Sequence, residues 1–189
     1  MKPIALWNTN WVKVNRRSLH PTGNAVTGGF YALIYKQKEE LNLIEKNGVY
    51  GWPYIYADGK FNKADEPENM TWEEYAKLAT EPQMLFTAHS APMSLKFYKG
   101  DMFPEKYKES ALVTFRGSWN RKPPSGHKIM KVQFENGNPV KSEDFVTGFL
   151  SKDGTSRFAR LVDLVELPDG SILVSDDTNG IIYRITYQE

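Results

Sequence analysis

Leu161-Val162-Asp163-Leu164-Val165-Glu166-Leu167, then Pro168-Asp169-Gly170, then Ser171-Ile172-Leu173-Val174-Ser175, then Asp176-Asp177-Thr178-Asn179-Gly180, then Ile181-Ile182-Tyr183-Arg184-Ile185-Thr186 is the most legible stretch of the chain. Three runs rich in β-branched and apolar residues are separated by clusters that end in Asp-Gly or Asn-Gly. Such runs with such breaks read as three strands of a β-meander. The Gly residues supply the positive φ angles that tight hairpin turns require.

The same grammar occurs upstream. Ala111–Arg116 reads as a strand. Over His127–Phe134, Ile129, Lys131 and Gln133 alternate with Met130, Val132 and Phe134, the period of a half-buried strand. Glu135-Asn136-Gly137-Asn138 follows as a hairpin turn. Ser94–Tyr98, Leu41–Glu45 and Trp52–Tyr56 are further strands by the same reading. Phe30-Tyr31-Ala32-Leu33-Ile34-Tyr35, after Gly28-Gly29, is another. One helix interrupts them. Thr71-Trp72-Glu73-Glu74 is a capping-box pattern, and Trp72, Tyr75, Ala76 and Ala79 follow at helical spacing before Pro82. The spacing predicts a short helix over Trp72–Ala79. Short meanders with long loops suggest a β-propeller, and a sandwich fits the pattern alone as well. No strict repeat is visible.

Composition narrows the function classes. With 24 Lys and Arg against 23 Asp and Glu, the net charge of +1 gives no electrostatic case for nucleic acid or an anionic membrane. The cluster Lys13, Arg16, Arg17 reads as a solvated face. With no Cys, disulfides, thiolate metal sites and a Cys nucleophile are excluded. The start, Met1–Asn8, lacks the apolar run of a signal peptide, and no stretch is long and apolar enough for a membrane span. Neither His20 nor His127 has metal-ligand spacing with its neighbours. Asp176-Asp177 offers two hard oxygen ligands but not the six to eight that calcium takes, so it reads as a turn.

An ordered set of strings carries a resemblance. They are Tyr50-Gly51-Trp52-Pro53, His89-Ser90-Ala91-Pro92, Gly117-Ser118-Trp119-Asn120-Arg121, Arg160-Leu161-Val162-Asp163, and Leu167-Pro168-Asp169-Gly170 through Asp177. In this order the chain from about Glu39 onward resembles the C-terminal half of the pyrroloquinoline quinone (PQQ)-dependent glucose/sorbosone dehydrogenases, soluble quinoprotein sugar dehydrogenases. The resemblance implies an all-β fold, a six-bladed β-propeller of which about three blades are present. It divides the chain into an unmatched leader, 1–38, and a propeller half, 39–189. It implies PQQ as cofactor, with Ca²⁺ beside it, and oxidation of an aldose- or sorbosone-like sugar.

Residue by residue, the resemblance implies that Tyr50 and Trp52 line the wall beside cofactor and substrate, where flat aromatic faces suit a quinone or a sugar. Arg160 would meet a PQQ carboxylate, as a planar guanidinium suits. The second Arg of the glucose enzymes falls at Val162, and Arg157 is the nearby substitute. The motif around Trp119 usually begins with His, where this chain has Arg116. Arg116, Trp119 and Arg121 are therefore cofactor candidates, and His89 is the candidate base. The usual base and the calcium ligands lie in the family's preceding blades, which Met1–Lys38 do not carry; no metal ligand is assigned here. A half propeller would leave edges open, to be closed by a second copy or a separate N-terminal half. The expectation is a PQQ-linked sugar oxidoreductase in partial or assembly-dependent form; the alternative is a non-catalytic propeller fragment that binds carbohydrate or protein. Family members work outside the cytoplasm, so periplasmic or secreted localisation rests on resemblance alone.

Overall fold

The computed structural model describes residues 4–7 and 37–188. The expected strand Phe30–Tyr35, the cluster Lys13, Arg16, Arg17 and His20 lie outside the described residues. The chain forms two compact units, Met1–His89 and Ser90–Glu189.

The first unit is built on short strands. β1 (Ile4–Trp7) pairs antiparallel with β2 (Glu39–Leu43), and β2 pairs with β5 (Met84–Phe86). A strand from the 1–38 segment thus forms one edge of this sheet. β3 (Ile55–Tyr56) and β4 (Lys60–Phe61) make a two-stranded hairpin. The predicted strand over Trp52–Tyr56 shrinks to Ile55–Tyr56, because Gly51, at φ +80°, folds the preceding residues into a turn. Its carbonyl accepts from Tyr54 N at 3.0 Å and Ile55 N at 2.8 Å. A Cβ there would come within 2.7 Å of the Ile55 carbonyl oxygen, so only glycine fits.

Helix α1 spans Trp72–Ala76, with Thr71 as N-cap and the full capping box formed with Glu74. It is shorter than the expected Trp72–Ala79. None of its residues is buried, so no core packing prolongs it. Instead Ala79 forms a parallel bridge with Val49, and Thr80 N donates to the Val49 carbonyl.

The second unit carries the larger sheets. β6 (Pro92–Phe97), β7 (Ala111–Phe115), β8 (Lys128–Glu135) and β9 (Asn138–Val146) form a four-stranded antiparallel sheet in sequence order. β10 (Leu161–Glu166), β11 (Ile172–Asp176) and β12 (Ile181–Ile185) form the expected meander. Among the described residues the fold is all-β with one short α-helix, and none of the described sheets closes into a barrel. The β8–β9 turn is Asn136-Gly137, both at positive φ, as its sequence demands.

The core of this unit is apolar. Tyr98, Phe103, Leu112, Ile129, Ala159, Leu161, Leu164, Ile172 and Val174 form one buried cluster. Tyr98 also ties the parts together. Its hydroxyl donates to the Gly170 carbonyl at 2.9 Å and accepts from Met102 N and Phe103 N. That bond anchors the Pro168-Asp169-Gly170 turn to the segment after β6, where Gly100 and Gly170 leave no room for a Cβ.

β9 escapes periodicity because its residues Asn138–Val146 are half-exposed to exposed and largely polar. Lys131, on the same strand face as Ile129, is buried. Its ammonium bonds Glu143 on β9 at 2.7 Å and the Lys106 carbonyl at 3.1 Å, and lies 5.1 Å from the Tyr107 ring centre. Paired and hydrogen-bonded in this way, the charge can be buried.

Candidate functional site

The site is built on the second unit, where the chain after β7 meets the chain before β10 and the β11–β12 turn. Arg116 N donates to the Ala91 carbonyl and Gly117 N to the Ser90 carbonyl, so the residues after β7 stay laced to the start of β6. The loop then closes on itself, Ser118 N to the Ser125 carbonyl and Ser125 N to Ser118 Oγ. Gly117 sits at φ +89° with the His127 ring against it. A Cβ would lie 2.3 Å from that ring.

Three consecutive carbonyls of this loop then face side chains from elsewhere. The Gly117 oxygen accepts from an Arg160 Nη at 2.8 Å, the Ser118 oxygen lies 3.3 Å from His127 Nε2, and the Trp119 oxygen accepts from an Arg157 Nη at 3.3 Å. Burial pushes the His127 imidazole below its ordinary range, so it stands as a neutral ring with one N–H to give.

Arg160 is fixed at both ends. Its backbone N–H donates to Asp176 Oδ1 at 3.0 Å, and its carbonyl accepts from Asp177 N. Asp176 is buried. It also accepts from Thr178 N, Asn179 Nδ2 and the Tyr183 hydroxyl. Burial acts to raise its pKa, but these donors outweigh it and hold the carboxyl below its ordinary range. With its oxygens committed in this way, Asp176 organises a turn, as its sequence suggested.

The guanidinium of Arg160 is shifted downward, first by desolvation and then by the nearby cations Arg116 and Arg157, with Asp177 opposing. Arg160 Nε is buried with no hydrogen-bond partner. Burying an N–H unmade costs about 1–3 kcal/mol, so this atom stands as a donor awaiting an acceptor. Arg116 Nε and an Nη reach Asp177 Oδ2 at 2.9 and 2.8 Å. Beside these cations Trp119 is 68% exposed and Phe158 57% exposed, both unusual for large apolar side chains.

The structure thus groups three of the predicted residues, Arg116, Trp119 and Arg160. It adds Arg157, Phe158 and Asp177. Arg121 is half-buried in the same loop and engaged within it. Phe158 had a signal in sequence, an aromatic between two arginines, but nothing there marked it as exposed. Tyr50, Trp52 and His89 belong to the first unit. The Tyr50 hydroxyl donates to the Leu43 carbonyl at 3.1 Å and accepts from Glu45 N at 2.6 Å, which closes the loop after β2. The Trp52 indole N–H is buried without a hydrogen-bond partner. His89 is buried and at φ +64°, a conformation that suits a turn.

Clustered guanidiniums, one with an orphaned buried N–H, beside exposed flat aromatics match a planar polycarboxylate such as PQQ. Among the described residues no three or more His, Asp or Glu side chains are grouped to hold a metal ion. Among the described residues, no helix is long and apolar enough to cross a membrane.

An all-β unit whose loop end gathers arginines around exposed aromatics is the class of protein defined so far. Residues 42–188 match a family model described as TrAA12-like, and the chain belongs to that family. It is similar to an uncharacterized protein of Borreliella burgdorferi, at 33% identity over 159 residues, which covers 80% of this chain and 39% of that protein. It is also similar to the pyrroloquinoline quinone-dependent pyranose dehydrogenase of Coprinopsis cinerea, at 29% identity, covering 57% of this chain and 16% of that enzyme. Among solved structures, the calcium structure of a Trichoderma reesei family AA12 carbohydrate-active enzyme superposes with a TM-score of 0.63 at 25% identity, covering 80% of this chain and 43% of that one. The chain therefore spans well under half the length of these relatives.

Proposed function

We propose that this chain is part of a PQQ-dependent sugar oxidoreductase, and that the arginine face of the second unit holds the cofactor's carboxylates. The observation that carries the reading is the buried, unpartnered Nε of Arg160 beside the guanidiniums of Arg116 and Arg157. The likeness to a pyranose dehydrogenase named for its use of PQQ supports it. In this reading Arg160 and Arg157 orient the ligand through positions fixed by the Gly117 and Trp119 carbonyls. Trp119 offers its exposed face to the ring, and Arg121 adds charge. PQQ, when bound, supplies the two-electron acceptor for the hydride of the sugar.

The wider architecture in this proposal is a six-bladed propeller to which the chain contributes about three blades. In this proposal a second copy or an N-terminal half completes the ring, and activity depends on that completion.

A second reading keeps binding without oxidation. It is favoured by the burial of both described imidazoles, His89 and His127, at 9% and 1% exposure, which withholds an exposed base. The test begins with PQQ titration in the presence of Ca²⁺, read by tryptophan fluorescence. Saturable quenching that weakens at least tenfold in Arg160→Ala is expected. Absence of saturable quenching would overturn the cofactor assignment. Sugar-dependent dye reduction by the PQQ-loaded protein then separates the two readings: reduction supports the oxidoreductase, and binding without reduction supports the module.

A further inference from the structure

The arginine face carries a carboxylate of its own. The β11–β12 turn grips Arg160 from both sides, Asp176 taking its N–H and Asp177 N giving to its carbonyl. This grip places the Asp177 side chain against the cluster whatever ligand is present. Arg116 puts two nitrogens on one oxygen of Asp177, at 2.9 and 2.8 Å. Thr178 Oγ1 donates to the other oxygen at 3.3 Å. The pair is only partly screened, with the Arg116 side chain 24% exposed and Asp177 42%.

We infer that Asp177 is a built-in competitor for the anion site: it occupies Arg116 until a carboxylate of a polyanionic ligand takes its place. The inference rests on the proposed anion-binding role of this face. Three properties follow. Affinity for any anion is held down, because Arg116 must leave one carboxylate to meet another. Ligands with one carboxylate gain nothing by the exchange, since one arginine–carboxylate ion pair replaces another. Ligands with several carboxylates gain, because Arg157 and Arg160 are reached in the same event. Asp177 is thus a specificity-determining residue that selects polycarboxylates over monocarboxylates without touching the ligand.

The experiment compares the full chain with Asp177→Asn, Arg116→Ala and the double variant, each checked for native circular dichroism. Asp177→Ser serves as a second variant should Asn disturb the turn. The probes are benzene-1,2,4-tricarboxylate and benzoate, by calorimetry, and PQQ by fluorescence. Removing one partly exposed competing carboxylate should tighten tricarboxylate binding about fivefold. It should tighten benzoate as well, so that selectivity for three carboxylates over one falls. The gain should vanish when Arg116 is already Ala, as a double-mutant cycle reads it. Unchanged or weaker tricarboxylate binding in both Asp177 variants overturns the inference, as does a gain that survives Arg116→Ala. Tricarboxylate binding with the expected gain but no PQQ binding leaves the inference standing and removes the cofactor reading. PQQ binding by the wild-type chain with no gain in the variants does the reverse.

Discussion

The two units are stabilised by different chemistry. In Ser90–Glu189 the buried set is led by aliphatic and aromatic side chains, Phe115, Leu112, Ile129, Leu161, Ile172, Val113 and Val132. In Met1–His89 the residues buried on and near β2 include Gln37, Glu39, Glu40 and Asn42, at 0 to 3% exposure. Apolar cores are insensitive to pH and tolerant of local shifts, but they are costly to hollow out. Polar interiors depend on each group keeping its partner. Glu40 shows this: its carboxylate accepts from Ala57 N at 2.7 Å and from Asn42 Nδ2 at 3.2 Å. The second unit is thus built round an apolar cluster, whereas the first buries polar side chains, some partnered as Glu40 is and some with an atom left without a hydrogen-bond partner, Gln37 Nε2 and Asn42 Oδ1 among them.

The sharpest way to break this contrast is to hollow the second unit. Leu161→Ala removes a side chain with no exposure from the main cluster and should cost about 3 kcal/mol in urea unfolding. A loss below 1 kcal/mol would mean that the cluster is loosely packed. Gly117→Ala should cost about 2 kcal/mol or more, from the left-handed backbone alone, and also displace the His127 ring. The matching change at Gly137, where a Cβ meets nothing within 4 Å, should cost only about 1 kcal/mol.

The carboxylates give the contrast a pH signature. Burial raises Glu40 above its ordinary 4.5. The folded state then holds its proton more tightly than the unfolded chain, so stability rises as pH falls from the raised value toward 4.5. Glu40→Gln should be more stable than wild type at neutral pH and should flatten that rise. Lys131 and Lys141 hold Glu143 at about 2. Its contribution is present above 4.5 and is lost as pH falls from 4.5 toward 2. Glu143→Gln should lower stability above pH 4.5, where the pair with buried Lys131 contributes, and flatten the loss between 4.5 and 2. Unfolding curves collected between pH 3 and 8 would expose a swap of these signatures.

The smallest effect expected is at the helix. Thr71→Ala removes the hydroxyl that accepts from Glu74 N while keeping the residue-71 N–H to Glu74 Oε2, and should cost about 1 kcal/mol. Because α1 buries none of its residues, the loss should appear as local fraying by hydrogen exchange more than as a shift in the global midpoint.

What could be read in advance tracks this difference. The meander β10–β12, the Asn136-Gly137 hairpin and the capping box were legible because each is a local pattern: alternation, a turn pair, a four-residue cap. β9 was not, since an edge strand of polar residues has no apolar face to give it a period. β2 was placed two residues late, because Glu39 and Glu40 look like solvent residues and are buried ones. At the site, Arg116, Trp119 and Arg160 could be picked out by motif. Arg157, named there as a substitute, meets Trp119, and Asp177 meets Arg116, through hydrogen bonds spanning 38 and 61 residues, which local spacing does not encode.

By itself, then, the sequence determined the β character of the chain, its turns, its one capped helix and the strings that tie it to its family. Each of these depends on residues within a few positions of one another, where backbone sterics and side-chain period act directly. The tertiary structure decided which polar groups are buried, which aromatics are left exposed and that the Nε of Arg160 is buried without a hydrogen-bond partner. Those properties depend on what desolvates or pairs each group, and that is set by segments distant in the chain.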